Sequence, residues 1–152
     1  MILAKILKEH DACHDAVEWI GSKGLKTAWN KCERGDWMLW ALGKLDLDRK
    51  TLVRIVCDCA EPALQYVPEG ELRPAEAIRV ARLWCDGNAT IDEVKRAAYA
   101  AADAACAAYV ACAAAHAAHA AASLKHSADI VRKYVSVDEV KQLMIDHKWE
   151  TR

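Results

Sequence analysis

Phenylalanine is absent from the 152 residues, proline occurs 3 times and glycine 6 times. Without phenylalanine, the large core anchors have to come from the 6 tryptophans and the branched aliphatics, because much of the 54% hydrophobic content is alanine. No glycine or proline interrupts the chain after Ala97. Charge of one sign is also lacking: 21 basic and 22 acidic residues leave a net charge of −1, with a sequence pI near 6.6. That balance removes the global attraction on which non-specific binding to nucleic acid depends, so DNA, RNA and membrane surfaces are not expected partners. The N-terminus has no signal-peptide pattern, since Lys5 and Lys8 interrupt its apolar residues. The longest uncharged run, 104–124, holds His116 and His119 among alanines and is too weakly apolar for a membrane helix. There is no Cys-x-x-Cys pair, no Gly-x-Ser-x-Gly elbow and no glycine-rich phosphate loop, which leaves catalysis by a familiar route without support. The seven cysteines are odd in number and sit in apolar helical patterns, as expected of buried free thiols in a reducing cytosol.

What is present reads as helix throughout. At 16.8 kDa the chain is the size of one domain, and residues 1–152 are expected to form a single helical domain. Cys13, Ala16, Val17 and Ile20 recur at three- and four-residue steps within Asp11 to Lys23, with Gly24 closing that helix. A short helix follows from Leu25 to Cys32, and Asp36 is placed as the cap of Trp37 to Leu42. Asp48 opens a helix to about Val67, with Leu52, Val56, Cys59, Ala63 and Tyr66 as its apolar stripe. Lys50, Arg54, Asp58, Glu61 and Gln65 form the opposite stripe, and Pro62 predicts a kink. The next helix runs from Pro74 to Cys85.

Thr90 to Glu93 and Ser136 to Glu139 are capping boxes, each marking a helix start. Between them lies an alanine-rich tract in which 18 of the 26 residues from Ala97 to Ala122 are alanine, the best helix former. One helix from Thr90 to Val135 would run about 65 Å at 1.5 Å per residue, longer than the globule is wide. A break into an antiparallel hairpin is therefore expected between Ala111 and Ala117. The fold class is all-α, a bundle of six or seven helices with an alanine-rich hairpin and a C-terminal helix within 136–152.

Three groups of residues carry candidate chemistry. Cys112, His116 and His119 share a helix face at spacings that suit zinc, although no carboxylate stands nearby to orient a ligating imidazole. Metal ligation is therefore set against histidines that fill a seam or face solvent, and no metal or other cofactor is assigned. Arg34, Asp36, Trp37 and Trp40 form a second group. Asp58, Glu61, Glu71 and Arg73 form a third, together with Glu69. Each has a structural explanation: a helix cap, an Arg54–Asp58 pair, solvated loop charges, and core tryptophans. Cys57 and Cys59 are two apart on a helix and point in different directions, so they cannot pair or chelate together without unwinding.

In order along the chain come Ala28-Trp29, then Arg34-Gly-Asp-Trp-Met-Leu-Trp40, then Cys57-Asp-Cys-Ala-Glu-Pro-Ala-Leu64. Val67-Pro-Glu-Gly-Glu-Leu-Arg-Pro74 and Thr90-Ile-Asp-Glu93 follow, ahead of the alanine–histidine tract. This succession resembles the immunity-five-like domain of bacterial and phage genomes over residues 10–135. The resemblance implies a small helical protein in the cytoplasm of a bacterial host cell, acting by binding. The expected function is non-enzymatic, stoichiometric inhibition of a protein target, either a toxin or an antiviral defence component. The expected binding residues are Arg34, Asp36, Trp37, Trp40, Asp58, Glu61, Glu71 and Arg73. One alternative is a phage-encoded sponge that sequesters a small signalling nucleotide, and another is a metal-dependent hydrolase on His116 and His119. Self-association into a homo-oligomer through the alanine surface is also open. Inhibition predicts a co-purifying partner, the sponge predicts nucleotide released on heat denaturation, and the hydrolase predicts metal in the purified sample.

Overall fold

The computed structural model describes residues 2–112 and 116–149, with the side chains at 103–112, 116–119 and 121 outside the description. Every regular element among the described residues is helical: α1 (Ile2–Glu9), α2 (His14–Ile20), α3 (Leu25–Lys31), α4 (Gly35–Lys44), α5 (Arg49–Ala60), a 3-10 helix (Glu61–Tyr66), α6 (Arg73–Cys85), α7 (Ile91–Cys112), α8 (His116–Tyr134) and α9 (Val137–Asp146). The all-α class holds, and the count exceeds the expected six or seven. The first unanticipated helix is α1, which buries Leu3 and Ile6. Eight residues give too few turns for such a period to stand out in sequence. The break expected between Ala111 and Ala117 falls partly on residues 113–115, outside the described residues.

Several boundaries differ from expectation for local reasons. Asp11 takes a positive φ of 65° and Cys13 is extended, so α2 starts only at His14 and Cys13 is exposed rather than buried. Gly21, at φ 49°, ends α2, while Gly24 begins α3 as its N-cap. Asp36 does not cap α4: the helix starts at Gly35, and Asp36 lies in its first turn. Asp48 does cap α5, its carboxylate accepting from the Thr51 backbone N–H at 2.9 Å.

At Pro62 the missing N–H ends the α-helical ladder, and the chain tightens into the 3-10 helix. A 3-10 turn advances the side chains differently, so the stripe drawn through Pro62 does not stay on one face. Ile55 and Cys57 are buried instead, while Val56 and Tyr66 are exposed. Both capping boxes are formed. Thr90 Oγ1 accepts from the Glu93 N–H, Ser136 Oγ accepts from the Glu139 N–H, and each glutamate returns a bond to its cap.

The chain divides into two compact units, one of residues 1–47 with 124–152 and one of residues 48–123. In the first, α1 packs on α2 and α3 packs on α9. Leu3, Ile20 and Ala28 form a buried cluster there, with Trp19, Leu25 and Met144 against it. Trp29 is buried and its indole N–H donates to the Val135 carbonyl at 3.3 Å. Arg132 donates to the carbonyls of Trp29 and Cys32 and so occupies acceptors left open at the end of α3. In the second unit, α6 packs against both α5 and α7. Arg54 there reaches Asp86 at 2.9 Å and the Cys85 carbonyl at 3.3 Å.

Gly35 marks the closest approach in the first unit. A Cβ built there would stand 2.5 Å from the Ser127 Cβ and 2.7 Å from the Ala128 backbone nitrogen. Alanine has the better helix propensity by about 1 kcal/mol, but overpacking against backbone costs about 1–3 kcal/mol, so sterics win. Gly35→Ala is therefore expected to destabilise the protein, read as a lower urea midpoint with the m-value unchanged. An unaltered midpoint would show that α8 can withdraw freely.

Candidate functional site

The eight sequence-predicted site residues fall four in each unit. In the first, Arg34 precedes α4 and grips Asp36 in a bidentate pair, with Nε to Oδ1 at 2.8 Å and Nη2 to Oδ2 at 2.6 Å. The Arg34 hydrogen bonds hold the Asp36 carboxyl below the ordinary carboxylate range. The same guanidinium lies over the Trp37 ring, 4.3 Å from its centroid. Such a cation–π contact contributes about 0.5–1 kcal/mol at an exposed site. Trp37 in turn meets Trp19 with ring centroids 6.1 Å apart and planes tilted by 58°. Trp37 and Trp40 are both half-buried rather than wholly core, which leaves part of each ring facing solvent.

Behind these rings the first unit has an apolar cavity of about 80 Å³, partly open to solvent and walled by Trp19, Trp29, Trp37, Trp40 and Trp149 with aliphatic side chains. The other faces of the tryptophans are also engaged. Lys23 stands 4.7 Å over Trp19 and Lys44 stands 6.0 Å over Trp40, while His10 stacks on Trp149 at 3.9 Å. Sequence reading singled out Trp37 and Trp40 but missed Trp19, Trp149 and the lysines over Trp19 and Trp40. Pairs such as Trp19 with Lys23 and Trp40 with Lys44 are four apart on the chain, a signal that was legible.

In the second unit Arg82 of α6 bridges two predicted residues, with Asp58 at 2.9 Å and Glu61 at 2.8 Å. Its Nε is buried without a hydrogen-bond partner. The polar stripe of α5 is thus the one that meets α6, and Arg82 is the residue the sequence did not reveal. Cys57 is buried, and its thiol is pushed up by burial, the opposite of an activated nucleophile. Its sulfur meets the Ile78 carbonyl at 3.9 Å, whereas Cys85 meets the Lys50 carbonyl at 3.5 Å. Lys50 and Cys57 are two helical turns apart on α5, so these thiols sit at different levels of the α5–α6 contact.

Glu71 and Arg73 form the remaining pair, a staple across the loop into α6 with Arg73 Nε donating to Glu71 Oε1 at 2.8 Å. Among the described residues no group of three or more His, Cys, Asp or Glu is arranged to hold a metal. The side chains of Cys112, His116 and His119, on which the metal reading depends, lie outside the described residues. No helix among those described is long and apolar enough to cross a membrane.

A family model described as Imm-5 like putative immunity protein matches residues 45–141, well over half of the sequence. The chain belongs to that family. No curated protein and no solved structure matches it. The match begins after Trp40, so Asp58, Glu61, Glu71 and Arg73 lie within the immunity-protein segment and Arg34, Asp36, Trp37 and Trp40 precede it. At the other end it runs past Val135, where the motif resemblance stopped, and takes in the Ser136–Glu139 capping box.

The Glu71 carboxyl is held down to about 2 by the Arg73 side chain and backbone N–H. A depressed folded value means that the staple is intact above the ordinary value of 4.5 and is lost as pH falls from there toward 2. Carboxyl carbon NMR should place the Glu71 midpoint near 2, and Arg73→Gln should bring it back toward 4.5. A midpoint already near 4.5 in the unaltered protein would remove the staple from the account.

Proposed function

We propose that this immunity-family protein neutralises a protein target, a toxin or an antiviral defence component, by non-enzymatic one-to-one binding through the Arg34–Asp36–Trp37 face. The observation that carries the proposal is a half-buried Trp37 whose ring is held by the Arg34 guanidinium and Trp19. Tryptophan and arginine dominate the energetics of protein interfaces, and side chains already held in place lose little entropy on association. Family membership supports an immunity-type role. Asp58, Glu61, Glu71 and Arg73, in the second unit, would carry less energetic weight in any contact of their own with a partner, because their charges are at least partly solvated. The nucleotide-sponge alternative draws less support, since the first unit's cavity is lined only by apolar residues while a nucleotide brings charged phosphates.

The test is a titration of this protein against the toxin or defence component that co-purifies with it, with complexes weighed by native mass spectrometry. Inhibition should be complete at one equivalent, with one copy of each chain in the complex or a symmetric multiple if the protein self-associates. Trp37→Ala should weaken binding roughly thirtyfold, the effect of losing a hot spot worth about 2 kcal/mol. Complete inactivation of the toxin by a small fraction of an equivalent would mean turnover and would overturn the proposal, as would unchanged affinity in both Trp37→Ala and Arg34→Gln.

A further inference from the structure

In the second unit α6, α7 and the turn between them surround a cleft of about 320 Å³, a volume in the range of small-molecule sites. All of its lining residues fall within the family segment, 45–141. The geometry points to a binding site for a small phosphate monoester in this cleft. None of the residues assigned to target neutralisation lines it.

Burial divides the lining in two. Val80, Leu83 and Ala97 are buried or half-buried and make an apolar floor. Arg79 of α6, Asn88 of the turn and Arg96 of α7 are exposed at the edge, with Glu76 and Glu93 beside them. Both carboxylates are already engaged. Glu76 takes Nε and Nη2 of Arg79 at 2.8 and 2.7 Å, one on each oxygen, which leaves Nη1 of that guanidinium open. Glu93 turns back to its cap, its Oε2 accepting from the Thr90 N–H at 2.7 Å and from the Thr90 hydroxyl at 3.0 Å. Those two bonds, ahead of the charge of Arg96, hold the Glu93 carboxyl below the ordinary carboxylate range. Arg96 makes no hydrogen bond or ion pair among the described residues, and neither does the Asn88 side-chain amide.

The open guanidinium and amide donors therefore outnumber the open acceptors at the edge, Glu93 Oε1 and the Asn88 side-chain carbonyl, and the guanidinium of Arg96 calls for an anion. A carboxylate has two coplanar oxygens. The three free oxygens of a phosphate monoester point in different directions, so they can meet donors carried by α6, α7 and the turn together. No aromatic ring lines the cleft, so it has no face on which a nucleobase could stack, and the apolar floor suits a short carbon chain. Both sides of the cleft are fixed in advance. The Asn88 backbone N–H donates to the Leu83 carbonyl at 2.8 Å and pins the turn to α6, while the Thr90–Glu93 box sets the start of α7. Little order then has to be gained on binding.

Glycerol 3-phosphate is the probe, and glycerol and inorganic phosphate are its two halves. Nitrogen-edited NMR of the full chain reads the arginine Nε–H and asparagine side-chain amide signals. Glycerol 3-phosphate should shift Arg79, Asn88 and Arg96 saturably, while the indole of Trp29, in the other unit, stays in place. Glycerol should not bind, and inorganic phosphate should bind about fivefold more weakly, for want of carbon on the apolar floor. Arg96→Gln should weaken binding of glycerol 3-phosphate about tenfold. Its urea midpoint should not move, because Arg96 has no partner to lose; should it fall, Asn88→Ala tests the same edge. A phosphate monoester site is ruled out if the probe produces no saturable shift, or if glycerol or inorganic phosphate binds as well as glycerol 3-phosphate. Full affinity in both Arg96→Gln and Asn88→Ala would also rule it out.

Discussion

The first unit depends on one meeting of distant segments: residues 1–47 reach residues 124–149, and the Arg132 guanidinium secures the contact. Its donors fill backbone carbonyls at the end of α3 that would otherwise be left unpaired where they are hardest to hydrate. Trp29 answers from the other side by donating to the Val135 carbonyl. Both bonds need α3 and α8 close together, and Gly35, the first residue of α4, lets that helix start lie equally close to α8 by having no side chain to place against Ser127. The tryptophan cavity follows from this geometry, since α9 can add Val140 and Met144 to the wall only after α8 has been drawn in.

The second unit is stitched differently. Among its described residues the buried ones are small or medium in size, namely Ile55, Cys57, Val80 and Cys85. Cross-helix arginines supplement them: Arg54 to Asp86 and Arg82 to Asp58 and Glu61. Such partly solvated pairs contribute little each, about 0–1 kcal/mol, but they fix which face of α5 meets α6. The Imm-5 like family segment contains all of these residues. The Trp37 face and the cavity are instead built largely from residues that precede it or follow it.

Helix content was legible in the sequence because its signals are local. The capping boxes at Thr90 and Ser136, the Asp48 cap and the alanine tract each act within a few residues, and the helices form where those signals stand. Asp36 misled because a cap and a salt-bridge partner use the same carboxylate, and only the position of Arg34 decides between them. The stripe from Leu52 to Tyr66 misled twice: within α5 the buried face carries Ile55 rather than Val56, and beyond Pro62 the 3-10 helix breaks the period on which Tyr66 was placed. In the candidate site, Arg34, Asp36 and Trp37 could be grouped from adjacency alone. Arg82 and Arg132 could not, since Asp58 and Glu61 for the one and the Trp29 and Cys32 carbonyls for the other lie 21 or more residues away, and nothing local distinguishes these arginines from any surface arginine.

The discontinuity of the first unit has a consequence for how the molecule is made. Residues 48–123 are contiguous and emerge from the ribosome together, so their helices can assemble while synthesis continues. Residues 1–47 emerge earlier, yet their completing partners appear only after residues 48–123. During that interval the tryptophans of α2, α3 and α4 have no α8 or α9 to cover them. A nascent chain stalled before Leu124 would display a sticky aromatic surface that the finished protein largely conceals.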